Sequence, residues 1–276
     1  MLKLITTLAL LAVCHAHIIK PACDLLSIQN IIYQKEVLKE NVNEPYQMAI
    51  DYNTNTLFFS YSAVNPTTEA TVFEQAYLNL KTKEFNSISG IIGGFAATVD
   101  NTNNNVYLGG RNGIYAYDYE KNKATHVNPN GYSIWQMFFK DKLYYTAYPQ
   151  ERVYTFEDGN SIILPELSRT MVQLVALDND LNMYFSNSSG LFLLNKSDNV
   201  IAKLGEYTIN SFTADINGNL YFSTPSGFYK IDKKNVLQLA DVDDVFGLVV
   251  DGDNNLIYGS GDKIIRLSAT TKTNCF

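Results

Sequence analysis

The sequence predicts an all-β protein folded as a six-bladed β-propeller, its last blade closed by the N-terminal strand. Three observations carry this. Residues 211–240, SFTADINGNLYFSTPSGFYKIDKKNVLQLA, break into four apolar runs of strand length separated by NGN, TPSG and KKN, the turn chemistry of hairpins. The pattern recurs in six copies, marked by Leu57 with Phe58, Val106 with Tyr107, Leu143 with Tyr144, Met183 with Tyr184, Leu220 with Tyr221 and Ile257 with Tyr258. In five copies an Asp closes the first run, at Asp51, Asp100, Asp178, Asp215 and Asp251, whereas the third turns tightly through Lys140, Asp141 and Lys142. A four-stranded unit of roughly 40 residues cannot bury both its faces alone, so such units stack around a central channel.

Taken in order, the chain opens with Lys3, an apolar run from Leu4 to Val13, and the small-residue context of Ala16. That is the pattern of a secretory signal peptide over residues 1–16, too short to be a stable membrane span, leaving 17–276 as one propeller domain. Cleavage removes Cys14 and leaves Cys23 and Cys275 near the two ends of the mature chain. Ring closure in an oxidising compartment predicts that they bond; the alternative is two unrelated thiols. IIYQKEVL, residues 31–38, reads as a strand ahead of the first copy, while the last copy, from Val245 to Leu267, supplies only three. The N-terminal strand therefore completes the sixth blade and removes an open edge. The first copy has an oversized connection from Ser60 to Gln75, read as a loop that either covers a site or is a tolerated surface excursion. Asn187 and Asn195 open N-glycosylation sequons, and Asn195 is preferred because its turn lies on the face away from the channel mouth. Asn65 is disqualified by Pro66.

Composition narrows the partners. With 46% hydrophobic and 13% aromatic residues in 276, the chain can fill a large single core. A formal charge of -7 argues against nucleic acid and anionic membranes as partners. Of three histidines, His15 and His17 fall at the predicted cleavage site and His126 reads as a strand side chain, which leaves a nucleophile without a base and a multi-histidine metal site without ligands. The glycines of ISGIIGGF and GGRNG lack the Lys and Ser/Thr of a phosphate loop, so no cofactor is expected. The recurring Asp residues resemble the carboxylate ring of calcium-dependent lactonase propellers, yet each precedes a tight turn that an Asp side chain caps. Glu44 is the single acid placed like a lactonase metal ligand, and no metal is expected.

A candidate site follows from repeat counting. Five residues before each closing Asp, where the innermost strand meets the channel mouth, stand Tyr46, Phe95, Gln173, Asn210 and Phe246, and Trp135 falls near the equivalent place in the third copy. Aromatics and amides around one mouth suit a flat conjugated ligand; ordinary core packing is the alternative. Three of the four arginines, Arg111, Arg152 and Arg169, fall in connections predicted to share that face, which adds an anionic ligand to the expectation because guanidinium makes bidentate contacts to carboxylate or sulfate.

The secretory leader with an early Cys, the segment EVLKENVNEPYQMAIDYNTNTLFFSYS, the repeats NGNLYFS and GDNNLIYGS, and the Cys near the C-terminus together resemble the insect ommochrome-binding proteins. The resemblance covers essentially the whole mature chain. It implies a secreted haemolymph carrier of ommochromes, tryptophan-derived phenoxazinone pigments, or of their kynurenine precursors; it supplies no site residues. The expected function is thus pigment binding without catalysis. The alternatives are a calcium-dependent lactonase or esterase-like propeller and a protein-interaction propeller similar to the royal-jelly and yellow proteins.

Overall fold

The computed structural model describes residues 25–28, 30–128 and 131–271. The leader, Cys23 and Cys275 lie outside the described residues. Six antiparallel sheets follow one another along the chain. The six innermost strands are Tyr46–Asp51, Ala96–Asp100, Ser133–Phe139, Leu174–Leu177, Ser211–Ala214 and Val245–Val250. Each meets the next, and the last meets the first, so the six line one channel.

The founding repeat folds as read. Strands Ser211–Ala214, Leu220–Thr224, Gly227–Asp232 and Asn235–Asp241 form one meander, with Leu220 opposite both Ala214 and Ile231. Middle strands lose the alternation of a half-wet sheet because both their faces pack on neighbouring blades, and Leu57, Phe58 and Phe59 are all fully buried in consequence. Outermost strands recover exposure, as along Asn235–Asp241.

The signature Asp and Tyr residues serve each other. Asp215 accepts hydrogen bonds from the backbone N–H of Asn217 and Asn219, both at 2.9 Å, and from the Asn219 amide at 2.7 Å. The Tyr221 hydroxyl reaches back to the same carboxylate at 3.2 Å. Asp51, Asp100, Asp178 and Asp251 cap their turns through the same oxygen-to-N–H contacts. In the irregular third blade Tyr144 donates instead to Asp141, at 3.0 Å, so an acid one residue into the tight turn replaces the closing Asp.

Ile31–Glu40 pairs antiparallel with Lys263–Ala269 and closes the sixth blade, Val37 standing opposite Ile265. Glu36 on this strand is 3.3 Å from Arg266 and 2.8 Å from Lys83. A further strand not expected from the sequence, Leu25–Ile28, pairs outside it and makes this sheet five-stranded.

The connection read as a loop from Ser60 to Gln75 is instead a hairpin. Thr56–Val64 and Thr71–Asn79 stay in register through Ser60 with Gln75, Ser62 with Phe73 and Val64 with Thr71. Only residues 65–70 turn, held by the Asn65 side chain accepting from Thr67 and Thr68 N–H groups. The β-branched and aromatic residues on either side of Pro66 favour pairing, and the pairing carries Phe73 to the channel mouth.

Candidate ligand site at the channel mouth

The mouth is shaped by three β-bulges. In Tyr46–Asp51 the register slips between Tyr46 and Ala49, in Ser133–Phe139 between Ile134 and Gln136, and in Val245–Val250 between Val245 and Leu248. A bulge inserts one unpaired residue and re-aims its neighbours. The extra residue in the third blade is Trp135, and Phe246 lies within the bulge of the sixth. At the first, Gln47 adopts φ 42°, a left-handed conformation that costs free energy for any residue but glycine and is found where the surroundings enforce it.

These bends assemble a continuous aromatic wall. Phe246 meets Tyr46 at a ring-centroid distance of 5.1 Å, Tyr46 meets Phe95 at 5.6 Å, Phe95 meets Trp135 at 4.6 Å and Trp135 meets Tyr148 at 5.8 Å. Phe73 fills the angle between Tyr46 and Phe95, 4.5 Å from the latter. The wall borders a cavity of about 400 Å³, a size within the usual range for small-molecule sites. Facing it are Gln47, Val172, Gln173, Ile209, Asn210 and Glu151.

The polar residues of the facing wall also join blades. Asn210 donates from its side-chain amide to the Val245 carbonyl at 2.6 Å, Thr146 donates to the Gln173 carbonyl at 2.7 Å, and the Gln173 amide donates to Glu151 at 3.3 Å. Glu151, at φ 48°, has its backbone fixed by an N–H to the Ala147 carbonyl and by the Val172 N–H to its own carbonyl. Burial, with the negative charges of Glu44 and Asp244 adding to it, pushes the Tyr46 hydroxyl pKa up from its ordinary value.

Of the residues picked out by repeat counting, Tyr46, Phe95, Trp135, Gln173 and Asn210 line this cavity, and Phe246 stands behind Tyr46. Arg111, Arg152 and Arg169 do not line it. Arg152 turns its guanidinium onto the Gln150 and Glu151 carbonyls, and Arg111 and Arg169 are solvent-exposed. Counting from the closing Asp does not reach Phe73, on the hairpin extension, Gln47 and Glu151, at positive φ, or Tyr148, at the end of Leu143–Tyr148 in the irregular third blade. Asn187 ends a strand in the kind of connection that carries Tyr148 and Glu151 in the third blade, so it lies on the mouth side, and Asn195 lies at the opposite turn.

Glu44 accepts from the Ser62 hydroxyl at 2.7 Å, and no group of three or more His, Cys, Asp or Glu side chains converges among the described residues. The six or more oxygens that calcium takes are not assembled there from acidic side chains among the described residues.

No protein-family profile matches the chain. Among solved structures it resembles a gluconolactonase from Xanthomonas campestris, with a TM-score of 0.68 and 13% identity over 86% of this chain and 90% of that one. It also resembles a calcium-binding regucalcin from Agrobacterium tumefaciens, at 0.66 and 11%, covering 86% and 94%. At such identities the likeness establishes the propeller fold alone. In sequence, the chain is 38% identical over 269 residues to the ommochrome-binding protein of Manduca sexta, spanning 94% of this chain and 97% of the relative. Identity of that extent, end to end on a single six-bladed ring, places the chain in the ommochrome-binding protein family.

Proposed function

We propose that this protein is a secreted carrier that binds an ommochrome-type pigment in the channel-mouth cavity and does no chemistry on it. The observation that carries the reading is the unbroken aromatic wall from Phe246 through Tyr46, Phe95 and Trp135 to Tyr148 beside a cavity of about 400 Å³. Flat conjugated rings gain from offset and edge contacts with such a surface as well as from the apolar area removed from water. The family name, carried by a relative that shares 38% of residues, points to the same ligand class.

Affinity would come from the ring faces rather than from the ion pairs expected of Arg111, Arg152 and Arg169, since those side chains stand outside the cavity lining. An anionic substituent on the pigment would then point out of the mouth, where exposed Arg111 and Arg169 are free to meet it. Secretion rests on the leader-like residues 1–16; among the described residues no helix is long and apolar enough to cross a membrane.

Titrating an ommochrome with the protein tests the reading. Saturable one-to-one binding, seen as a shift of the pigment's visible absorption, is expected, with no hydrolysis of gluconolactone in the presence of calcium. Lactone turnover without pigment binding would replace the carrier by the lactonase-like enzyme.

A further inference from the structure

Two side chains on the cavity wall keep bonding capacity that the protein itself does not use. Gln47 is only 7% exposed, yet among the described residues its carboxamide makes no hydrogen bond, and it faces the cavity. Its amide atoms are not among the sealed, unpartnered polar groups of the interior, so they open onto the cavity and are available to a ligand. The Glu151 carboxylate meets only the Gln173 amide, at 3.3 Å, and among the described residues no Lys, Arg or His lies within ion-pair distance of it. Its neighbour Arg152 is turned away onto backbone carbonyls.

Both residues are held in left-handed backbone conformations, φ 42° at Gln47 and φ 48° at Glu151. At Gln47 this conformation falls inside the bulge of the first blade, whereas Glu151 takes the left-handed place of a turn closed by its N–H on the Ala147 carbonyl, as Glu69, Lys83 and Asn199 do in theirs. The surrounding field is negative as well: Glu44 and Asp244 both act on Tyr46 at the rim. An unpaired carboxylate beside an aromatic wall is the chemistry that recognises a ligand ammonium, through a charge-assisted hydrogen bond and attraction to the ring faces. A fully anionic ligand would meet repulsion at this wall.

We propose that the cavity selects an aromatic ligand carrying an ammonium group, with Glu151 as its counter-charge and the Gln47 carboxamide bonding a carbonyl or hydroxyl on the ring edge. This rests on the reading of the cavity as the pigment site and names the substituents that site reads. The class it defines is the aromatic amino acid or arylalkylamine, including pigments built from them, and it disfavours conjugated acids that lack the amine.

Calorimetric titration of the full chain with L-kynurenine and with its desamino analogue, which keeps the aryl ketone and the carboxylate, isolates the ammonium. Wild type is expected to bind kynurenine about tenfold or more tightly than the analogue, a charge-assisted bond being the difference. Glu151→Gln keeps the shape of the side chain and is expected to bring the two ligands to within about twofold. Gln47→Leu is expected to weaken both several-fold, since both carry the ketone. An ommochrome titration runs in parallel. If the ommochrome binds but kynurenine and its analogue are not distinguished, or Glu151→Gln preserves the difference, the ammonium site is overturned and the carrier stands. If the ommochrome does not bind, both are overturned.

Discussion

The indole of Trp135 leans on the ring of Phe95 with centroids 4.6 Å apart and 32° between their planes. Phe95 is buried, whereas Trp135 remains 38% exposed, so the pair offers one fixed face and one open one to the cavity. The open face exists because Trp135 is the unpaired residue of a bulge; in regular pairing it would alternate with Ile134, which is buried in the core between the second and third blades.

Replacing Trp135 by Ala is expected to weaken ommochrome binding about tenfold, as loss of a stacked aromatic at a binding centre costs roughly 1 to 3 kcal/mol. Trp135→Phe is expected to restore most of it. Calorimetry reads both, and unchanged affinity in the alanine variant would place the pigment elsewhere.

Asp215→Ala removes the acceptor of two backbone N–H groups, the Asn219 amide and the Tyr221 hydroxyl at once. Leaving those donors unmet is expected to cost about 2 kcal/mol of stability, read as a lower urea midpoint with an unchanged slope. Pigment affinity is expected to stay the same, because the turn lies at the end of the channel away from the aromatic wall.

The same tyrosines predict an alkaline limit. Burial, followed by the charge of Asp215, pushes the Tyr221 pKa up to about 12, and burial likewise raises Tyr52, Tyr117, Tyr119, Tyr144 and Tyr184. Unfolded tyrosine ionises near about 10, so the stability these groups contribute is fully present below that pH and is lost as pH rises through the folded values. Phenolate absorbance is therefore expected to rise in two stages, exposed tyrosines first and the buried set together with unfolding. A single smooth titration near the ordinary value would contradict it.

Removing residues 25–40 strips the two outer strands from the sixth blade and exposes the edge of Lys263–Ala269. An unpaired edge invites association, so the truncated chain is expected to elute as aggregates in size exclusion, while the full chain does not. A monomeric, fully stable truncation would show that closure through Ile31–Glu40 is dispensable.

The fold was legible because its turns advertise themselves: an Asp followed by Asn and Gly at DINGN and DGDNN is both hairpin signal and cap. The site was legible as far as the repeat is regular, which brought Tyr46, Phe95, Gln173 and Asn210 to one cavity by counting alone. What stayed hidden depends on partners. A bulge at Trp135 is a mismatch between two strands and cannot be seen in either, and Phe73 reads as loop until Ser62 is placed opposite it. Gln47 and Glu151 hold positive φ without the glycine that usually announces it. For the arginines, chain position gives the face but not where a long side chain ends: Arg152 ends on its own turn, and Arg111 and Arg169 stand exposed outside the cavity lining.

The most direct measurement is Trp135 emission during titration with an ommochrome, since this is the single tryptophan of the chain and lines the cavity. Pigment seated against the aromatic wall is expected to quench it saturably, with the midpoint matching the affinity from the pigment's own absorption change. Undiminished Trp135 emission with pigment bound to saturation would contradict binding at the channel mouth.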